Sequence, residues 1–440
     1  MKTGQIDGLL CFWTTLGLYG LARHLLLGPD WRWLAIAGAA CGFGVITKGV
    51  GFLPLLILIP WLYARGRGWN LPSIGWCHGR WLVLPAAFFL AISLWLAPML
   101  LVTTGSGDPE LLQYRDNILL KQTVTRYADP WGHIKPPWYL WTHAMPWLWL
   151  PFTLLLPWLI PAWVKELKAR NVATLLFGAW MLLVLLFFSM SDGKRSLYIF
   201  PALPAFALLV GPALPRLMAR VGPRRAVFAL ALLLPLLLVA AGTYALAEPG
   251  FLRNFTAPNA LRPLALSIAA IGSAGTVTVL AFRARKAASA YAAMTVIAWV
   301  GVSLLVYPRI DAMRSGEAIV EAAARVVGPD ETLGFAGWKE QFLLQWNRPA
   351  VHFGYRRNDG DGEIRDAAGW LSASPDHRLV LPRRMMEPCF DGSRLLPLGT
   401  AHRQQWQIAD QNAVLPACRA AVAGAELYDP SRPYAAPAGI

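Results

Sequence analysis

Residues 33–64 read WLAIAGAACGFGVITKGVGFLPLLILIPWLYA, and across this whole run only Lys48 is charged. The run is too long for one crossing of a hydrocarbon layer, which about 20 apolar residues span. Gly42, Gly44, Gly49 and Gly51 mark the break, since glycine lets a backbone turn sharply. Two short spans, 33–47 and 49–64, are expected here, with a lysine at the turn between them. Outward from this pair, similar apolar windows lie at 8–27, 81–102, 137–162, 172–189, 196–215, 225–246, 263–282 and 287–307, so ten spans are expected.

Composition agrees with a polytopic α-helical membrane protein. The chain is 56% hydrophobic, with a mean hydropathy of +0.43 and 21 tryptophans. Lipid can cover that much apolar surface, whereas a soluble fold of this size cannot hide it. The net charge of +15 would suit nucleic acid if it gathered on one soluble face. It is instead spread over alternate turns: Arg23 and Arg32; Arg65, Arg67 and Arg80; Lys165, Lys168 and Arg170; Arg216, Arg220, Arg224 and Arg225; Arg283, Arg285 and Lys286. Loops rich in Lys and Arg stay in the cytoplasm. No nucleic-acid partner is expected, and both chain ends are expected outside. Met1 to Gly8 is short and polar, and no small-residue cleavage site follows a short apolar core, so no cleavable signal peptide is expected.

After Tyr307 the chain turns polar. The bundle is expected over 1–307 and a small soluble α/β domain over 308–440. Helical spacing of Ala312, Ile319, Ala322, Ala323 and Val326 predicts a helix near 312–327. Short strands are predicted at Thr332–Ala336, Ala350–Phe353 and Arg378–Leu381, and a loose tail around Pro430, Pro433 and Pro437. Of the five cysteines, only Cys389 and Cys418 fall in the outer domain, where they either pair or stay free.

The turns between the basic ones hold the polar groups. Asp7 stands at the mouth of the first span, and Thr47-Lys48-Gly49 at the break. The loop 103–136 carries Asp108, Glu110, Tyr114, Arg115, Asp116, Lys121 and Arg126, and leads through His133 to Tyr139. Ser191-Asp192-Gly193-Lys194-Arg195-Ser196-Leu197-Tyr198 enters the seventh span. Taken singly, an interfacial Lys, Arg or Tyr usually serves as an anchor. Together, Lys48, Arg126, Lys135, Lys194 and Arg195, with the phenols of Tyr139 and Tyr198, would cradle a phosphate whose lipid tail lies in the bilayer. Asp7 and His133 would hold a divalent ion or position a sugar.

The pieces at these places resemble a known family. They are Asp7 ahead of an apolar helix, Thr47-Lys48-Gly49, Arg126-Tyr127 leading to His133-x-x-Pro136-x-Trp138-Tyr139, and Lys194-x-x-x-Tyr198-x-x-Pro201-x-x-Pro204. In order and spacing over 5–210 they are similar to the GT-C glycosyltransferases that use polyprenyl-phosphate sugars, particularly the aminoarabinose transferases acting on lipid A, kin to the protein O-mannosyltransferases. Residues 211–440 resemble them only in layout. The resemblance implies that Tyr198 contacts the carrier phosphate, with Lys48, Arg126, Lys194 and Tyr139 nearby. It also implies that His133 helps hold a divalent metal and that Asp7 lies at the active-site rim. The implied reaction moves a sugar, with inversion, from undecaprenyl phosphate to a lipid A, other lipid or protein acceptor on the periplasmic face of the inner membrane. In the family the principal catalytic carboxylate lies in a loop that this sequence would need before Asp7. The catalytic base is therefore unassigned, and the chain is expected to be part of a longer protein and inactive as it stands.

Two other classes compete. A ligase or polymerase of lipid-linked glycans also uses outward arginines, but the soluble C-terminal domain and the Lys48 and Tyr198 motifs favour the transferase. A transporter would carry polar groups at mid-membrane, where spans five to ten have almost none.

Overall fold

The structure is a computed structural model that describes residues 6–74, 79–105, 109–119, 134–253, 255–256, 258–311, 313–337, 340–354, 361–419, 425–428 and 430. The chain forms two compact units, Met1–Leu230 with Phe282–Tyr291, and Ala231–Ala281 with Ala292–Ile440. The first unit is built from α1 (Asp7–Leu27), α2 (Trp31–Lys48), α3 (Leu53–Gly66), α4 (Val83–Gly105), α5 (Pro109–Asp116), α6 (Leu140–Leu148), α7 (Thr153–Lys168), α8 (Val172–Met190), α9 (Ser196–Val210), α10 (Leu214–Ala219) and the start of α11 (Val221–Ala247). Helices α12 (Leu261–Phe282) and α13 (Ala284–Asp311) follow.

All ten expected spans fall on helix, but they are not equivalent. Among the described residues, six helices are long and apolar enough to cross a membrane: α1, α4 with its preceding turn, α8, α11, α12 and α13. The expected span 137–162 is two helices, α6 and α7, bent by 104°; counted as one broken span, it makes seven. Helices α3 and α9 are apolar but short. At 1.5 Å per residue they reach only about 21–22 Å, less than a hydrocarbon core of about 30 Å. Helix α2 has 18 residues, diluted by Gly and Ala.

Those small residues have a packing role. A Cβ on Gly38 would lie 2.3 Å from the Leu84 carbonyl oxygen, and one on Gly42 2.5 Å from that of Phe88, so α2 and α4 meet backbone to backbone. At the break, Gly49 caps α2 with φ 65°, where other residues are strained. A Cβ on Gly51 would stand 2.0 Å from the Gly44 carbonyl carbon, so the turn closes only without a side chain. The buried core includes Leu21, Leu25, Leu53, Ile57, Trp180, Val184 and Phe206. The Trp180 indole donates to the Leu53 carbonyl at 2.8 Å, tying α8 to the start of α3.

At the basic end of this unit aromatic rings gather. The His24 ring lies 4.9 Å from Trp31 and 5.2 Å from Trp81, and Trp61 lies 5.9 Å from Trp81. Arg65 sits over Trp61 at 5.5 Å and Arg80 over Trp31 at 6.0 Å. Indoles flanked by cations mark a membrane–water boundary. The end of α1, the start of α2, the end of α3 and the entry to α4 therefore share one level.

In the second unit α11 and α12 also pack on glycine: a Cβ on Gly242 would meet the Ala269 nitrogen at 2.5 Å, and one on Gly272 the Val239 nitrogen at 2.5 Å. Beyond α13, the soluble region runs α14 (Glu317–Val326), β1 (Thr332–Phe335), α15 (Glu340–Gln345), β2 (Ala350–His352), α16 (Gly362–Ser372), β3 (His377–Pro382), β4 (Leu396–Ala401), β5 (Gln404–Ala409) and β6 (Glu426–Tyr428). The sheet order is β4-β5-β3-β1-β2-β6, parallel for β1 with β2 and β3 and antiparallel elsewhere. Period-two alternation splits the strands between two cores. Leu333, Phe335, Val380 and Trp406 face Ile319 and Phe342, while Leu379, Leu381 and Val351 face Ile364 and Leu371. The predicted helix and three strands are present, with α15 and α16 as the helical segments expected between the strands; β4, β5 and β6 are additional. Cys389 and Cys418 form a disulfide, the pairing that the sequence left open. Cys11 and Cys41 are free thiols, and Cys77 lies outside the described residues.

Candidate functional site

Lys48 occupies the last turn of α2 and Asp7 the first turn of α1. A helix C-terminus favours a cation and an N-terminus an anion, so each end suits its own side chain. The two side chains meet in a salt bridge, each 18% exposed. The Lys48 ammonium also stands over the Tyr198 ring, 5.0 Å from its centre. Phe188, near the end of α8, backs the same ring at 5.1 Å. A small recess is lined by Asp7, Leu10, Lys48, Val50, Phe188 and Tyr198, among others.

Tyr198 is held by a second construction. Residues 134–139 run beside 191–196: Ile134 bridges antiparallel to Gly193, and the Lys135 N–H donates to the Asp192 carbonyl at 3.1 Å. The Lys194 ammonium donates to the Lys135 carbonyl at 2.9 Å and is almost wholly buried, at 2% exposure. A buried ammonium needs such acceptors, because desolvation without them is costly. The Tyr139 hydroxyl is within 2.9 Å of the Ser196 hydroxyl, and Lys135 covers the Tyr139 ring at 5.7 Å. The turn 194–198 thus carries Lys194 and Ser196 toward Tyr139, and Tyr198 toward Lys48.

Five of the seven expected site residues are described: Asp7, Lys48, Tyr139, Lys194 and Tyr198. Lys194 is turned onto a backbone carbonyl as a clamp between two segments. Arg126 and His133 lie outside the described residues, as do Lys121 and Asp108. Asp116 is paired with its neighbour Arg115 at 2.8 Å. Among the described residues, no three His, Cys, Asp or Glu side chains gather as metal ligands. The Asp7–Lys48 pairing itself had no signal in sequence, since 41 residues separate the partners. Ser196 and Phe188 were not singled out, because a lone Ser and a lone Phe carry no spacing signature.

A family model described as dolichyl-phosphate-mannose-protein mannosyltransferase matches residues 5–101, which include Asp7 and Lys48. The undecaprenyl phosphate-alpha-4-amino-4-deoxy-L-arabinose arabinosyl transferase 2 of Pseudomonas fluorescens (strain Pf0-1) is 31% identical over 218 residues, covering 47% of this chain. The corresponding transferase of Pseudomonas aeruginosa (strain UCBPP-PA14) is 29% identical over 223 residues. Over part of its length the chain is thus similar in sequence to arabinosyl transferases of this kind. Among solved structures, ArnT from Cupriavidus metallidurans bound to undecaprenyl phosphate superposes with a TM-score of 0.64 at 18% identity, covering 92% of this chain and 74% of that one. That likeness shows a shared fold. The chain spans 36% of the length of each of the two Pseudomonas relatives that it matches.

Proposed function

We propose that the chain serves in the transfer of a sugar from a polyprenyl-phosphate carrier to an acceptor at the outer face of the inner membrane, by binding the carrier phosphate. The observation that carries this reading is the meeting of Lys48, Asp7 and Tyr198 at the end of the first unit opposite its basic turns. An apolar bundle with a cation and a phenol at its outer edge suits an isoprenoid lipid whose polar end is a phosphate diester bearing a sugar. The named relatives act with an undecaprenyl-phosphate-linked sugar, which supports the donor class. The sugar, and the choice among lipid A, another lipid or a protein as acceptor, are left open by the chemistry of these residues.

In the proposed reaction an acceptor hydroxyl attacks the anomeric carbon as the bond to the carrier phosphate breaks, inverting the centre. The acceptor proton passes to a base, and the phosphate leaves with an added negative charge. Lys48 offsets that charge, and a positioned cation in a dry site is effective because it needs no reorganisation. Asp7 already holds Lys48, so its role is to orient the ammonium. A divalent ion at His133 belongs to the same proposal; metal content measured before and after His133→Ala tests it.

Photo-crosslinking of a diazirine-bearing polyprenyl phosphate in membranes tests the donor site without requiring turnover. Labelling at the 194–201 segment that falls sharply in Lys48→Met is expected. Labelling that Lys48→Met leaves unchanged would overturn the assignment of Lys48. Reporter fusions after Arg67, Arg170 and Arg220 are expected to be active in the cytoplasm, and a fusion after Gly316 in the periplasm. The opposite pattern would place the site on the inner face.

A further inference from the structure

A cavity of the first unit lies at the other ends of the helices that carry the site. Its volume is about 570 Å³, and its wall is formed by α7, α8, the end of α9 and α10. Helix α8 connects the two places: Val172 begins it at the cavity, and Met190 ends it next to the site turn. Its 19 residues span about 28 Å, close to the thickness of a hydrocarbon core. The cavity therefore opens at the level of the basic turns, which face the cytoplasm.

Its wall is divided by chemistry. Trp158, Trp163, Phe177 and Leu209 give an apolar interior, and the exposed Lys165, Arg216 and Arg220 bring three cations to the rim. One carboxylate, Glu166, shares the rim and accepts from the Asn171 side-chain amide at 3.0 Å. The Trp163 indole donates to the Leu209 carbonyl at 3.0 Å, so this ring is fixed as a wall and does not turn its N–H to a ligand. Nearby, a Cβ on Gly222 would touch the Trp158 ring at 3.5 Å, which seats the arginine-bearing start of α11 beside the same mouth.

We propose that this cavity binds one anionic phospholipid of the cytoplasmic leaflet. Its phosphate would be held by Lys165, Arg216 and Arg220, and its acyl chains would lie along the tryptophan-lined interior. Basic hollows between spans on the cytoplasmic side have the charge for such head groups, and guanidinium forks match phosphate oxygens. A free phosphate would satisfy the cations but leave the apolar interior filled only by water. This site is separate from the donor site and independent of its assignment.

The test is native mass spectrometry of the purified full chain released from nanodiscs of mixed phosphatidylglycerol and phosphatidylethanolamine. One retained phosphatidylglycerol per chain is expected, with retention falling on the order of 10- to 30-fold in R216Q/R220Q. Ala173→Trp, which fills the cavity without altering charge, is expected to expel the lipid as well. Gel filtration establishes that each variant is folded, and a variant that is not is replaced by Lys165→Gln or Ala162→Phe. Equal retention of the two lipids, undiminished retention in the charge or filling variants, or displacement by inorganic phosphate alone would each overturn the proposal.

Discussion

The ion pair between Asp7 and Lys48 sets the behaviour of the site at the level of single side chains. Removing one partner leaves the other charge without compensation in a mostly dry place, whereas removing both leaves two neutral groups. Lys48→Met or Asp7→Asn should each lower thermal stability in detergent by roughly 1–3 kcal/mol, and the double variant should lose less than the sum. Additive losses would mean that the contact carries no energy. Tyr198 separates ring from hydroxyl. Tyr198→Phe keeps the ring under Lys48, so stability should hold while carrier binding weakens about five- to tenfold, as for one lost hydrogen bond. If Tyr198→Phe binds the carrier as tightly as the parent does, the hydroxyl has no part in recognition. At this scale the sequence marked Asp7, Lys48 and Tyr198, which meet in the structure, but gave no sign of how they pair. Lys194 illustrates why: its motif spacing places it near the site, yet its burial and its choice of the Lys135 carbonyl depend on how two distant loops cross.

At the scale of elements, hydropathy located the long apolar helices of the bundle, because lipid rewards apolar runs directly, but not the polar α5 within the loop 103–136. It did not find the 104° bend between α6 and α7, since the run stays apolar through Pro151 and Pro157. Nor was the β4–β5 hairpin legible. Its turn residues His402 and Arg403 both adopt positive φ, at 54° and 63°. Asn-Gly is the usual signal for such a turn, and here it is absent. The disulfide is another element-scale feature: it closes a 29-residue separation between Cys389 and Cys418. Its removal by paired serine substitutions should destabilise the soluble region by about 3 kcal/mol, read as faster hydrogen exchange across β3 and β5 in the full chain. Unchanged exchange would show that packing alone holds that region. Within the same loop, the Ser393 hydroxyl and N–H both donate to Asp391 and hold its carboxyl below the usual 3.8. A depressed folded value means this contribution is complete above the unfolded pKa and is lost as pH falls below 3.8 through the folded value. Exchange in the 391–394 turn, taken relative to the intrinsic rate at each pH, should therefore rise with acid over that window, and Asp391→Asn should flatten the rise.

For the whole molecule, the bend has a consequence for how substrate reaches the outer edge. If α7 crosses the membrane, a 104° turn lays α6 nearly along the surface. Trp138 and Trp147 stand exposed on this arm, at 61% and 73%, and indoles partition to the boundary between head groups and acyl chains. An isoprenoid carrier would then arrive sideways, by two-dimensional diffusion within the leaflet, and never cross open water. Carrier labelling at the 194–201 segment should accordingly follow surface dilution: at fixed donor amount, adding bulk lipid or detergent should slow it as the donor's mole fraction falls. A rate that follows only the donor concentration in the total volume would mean that the carrier enters from solution.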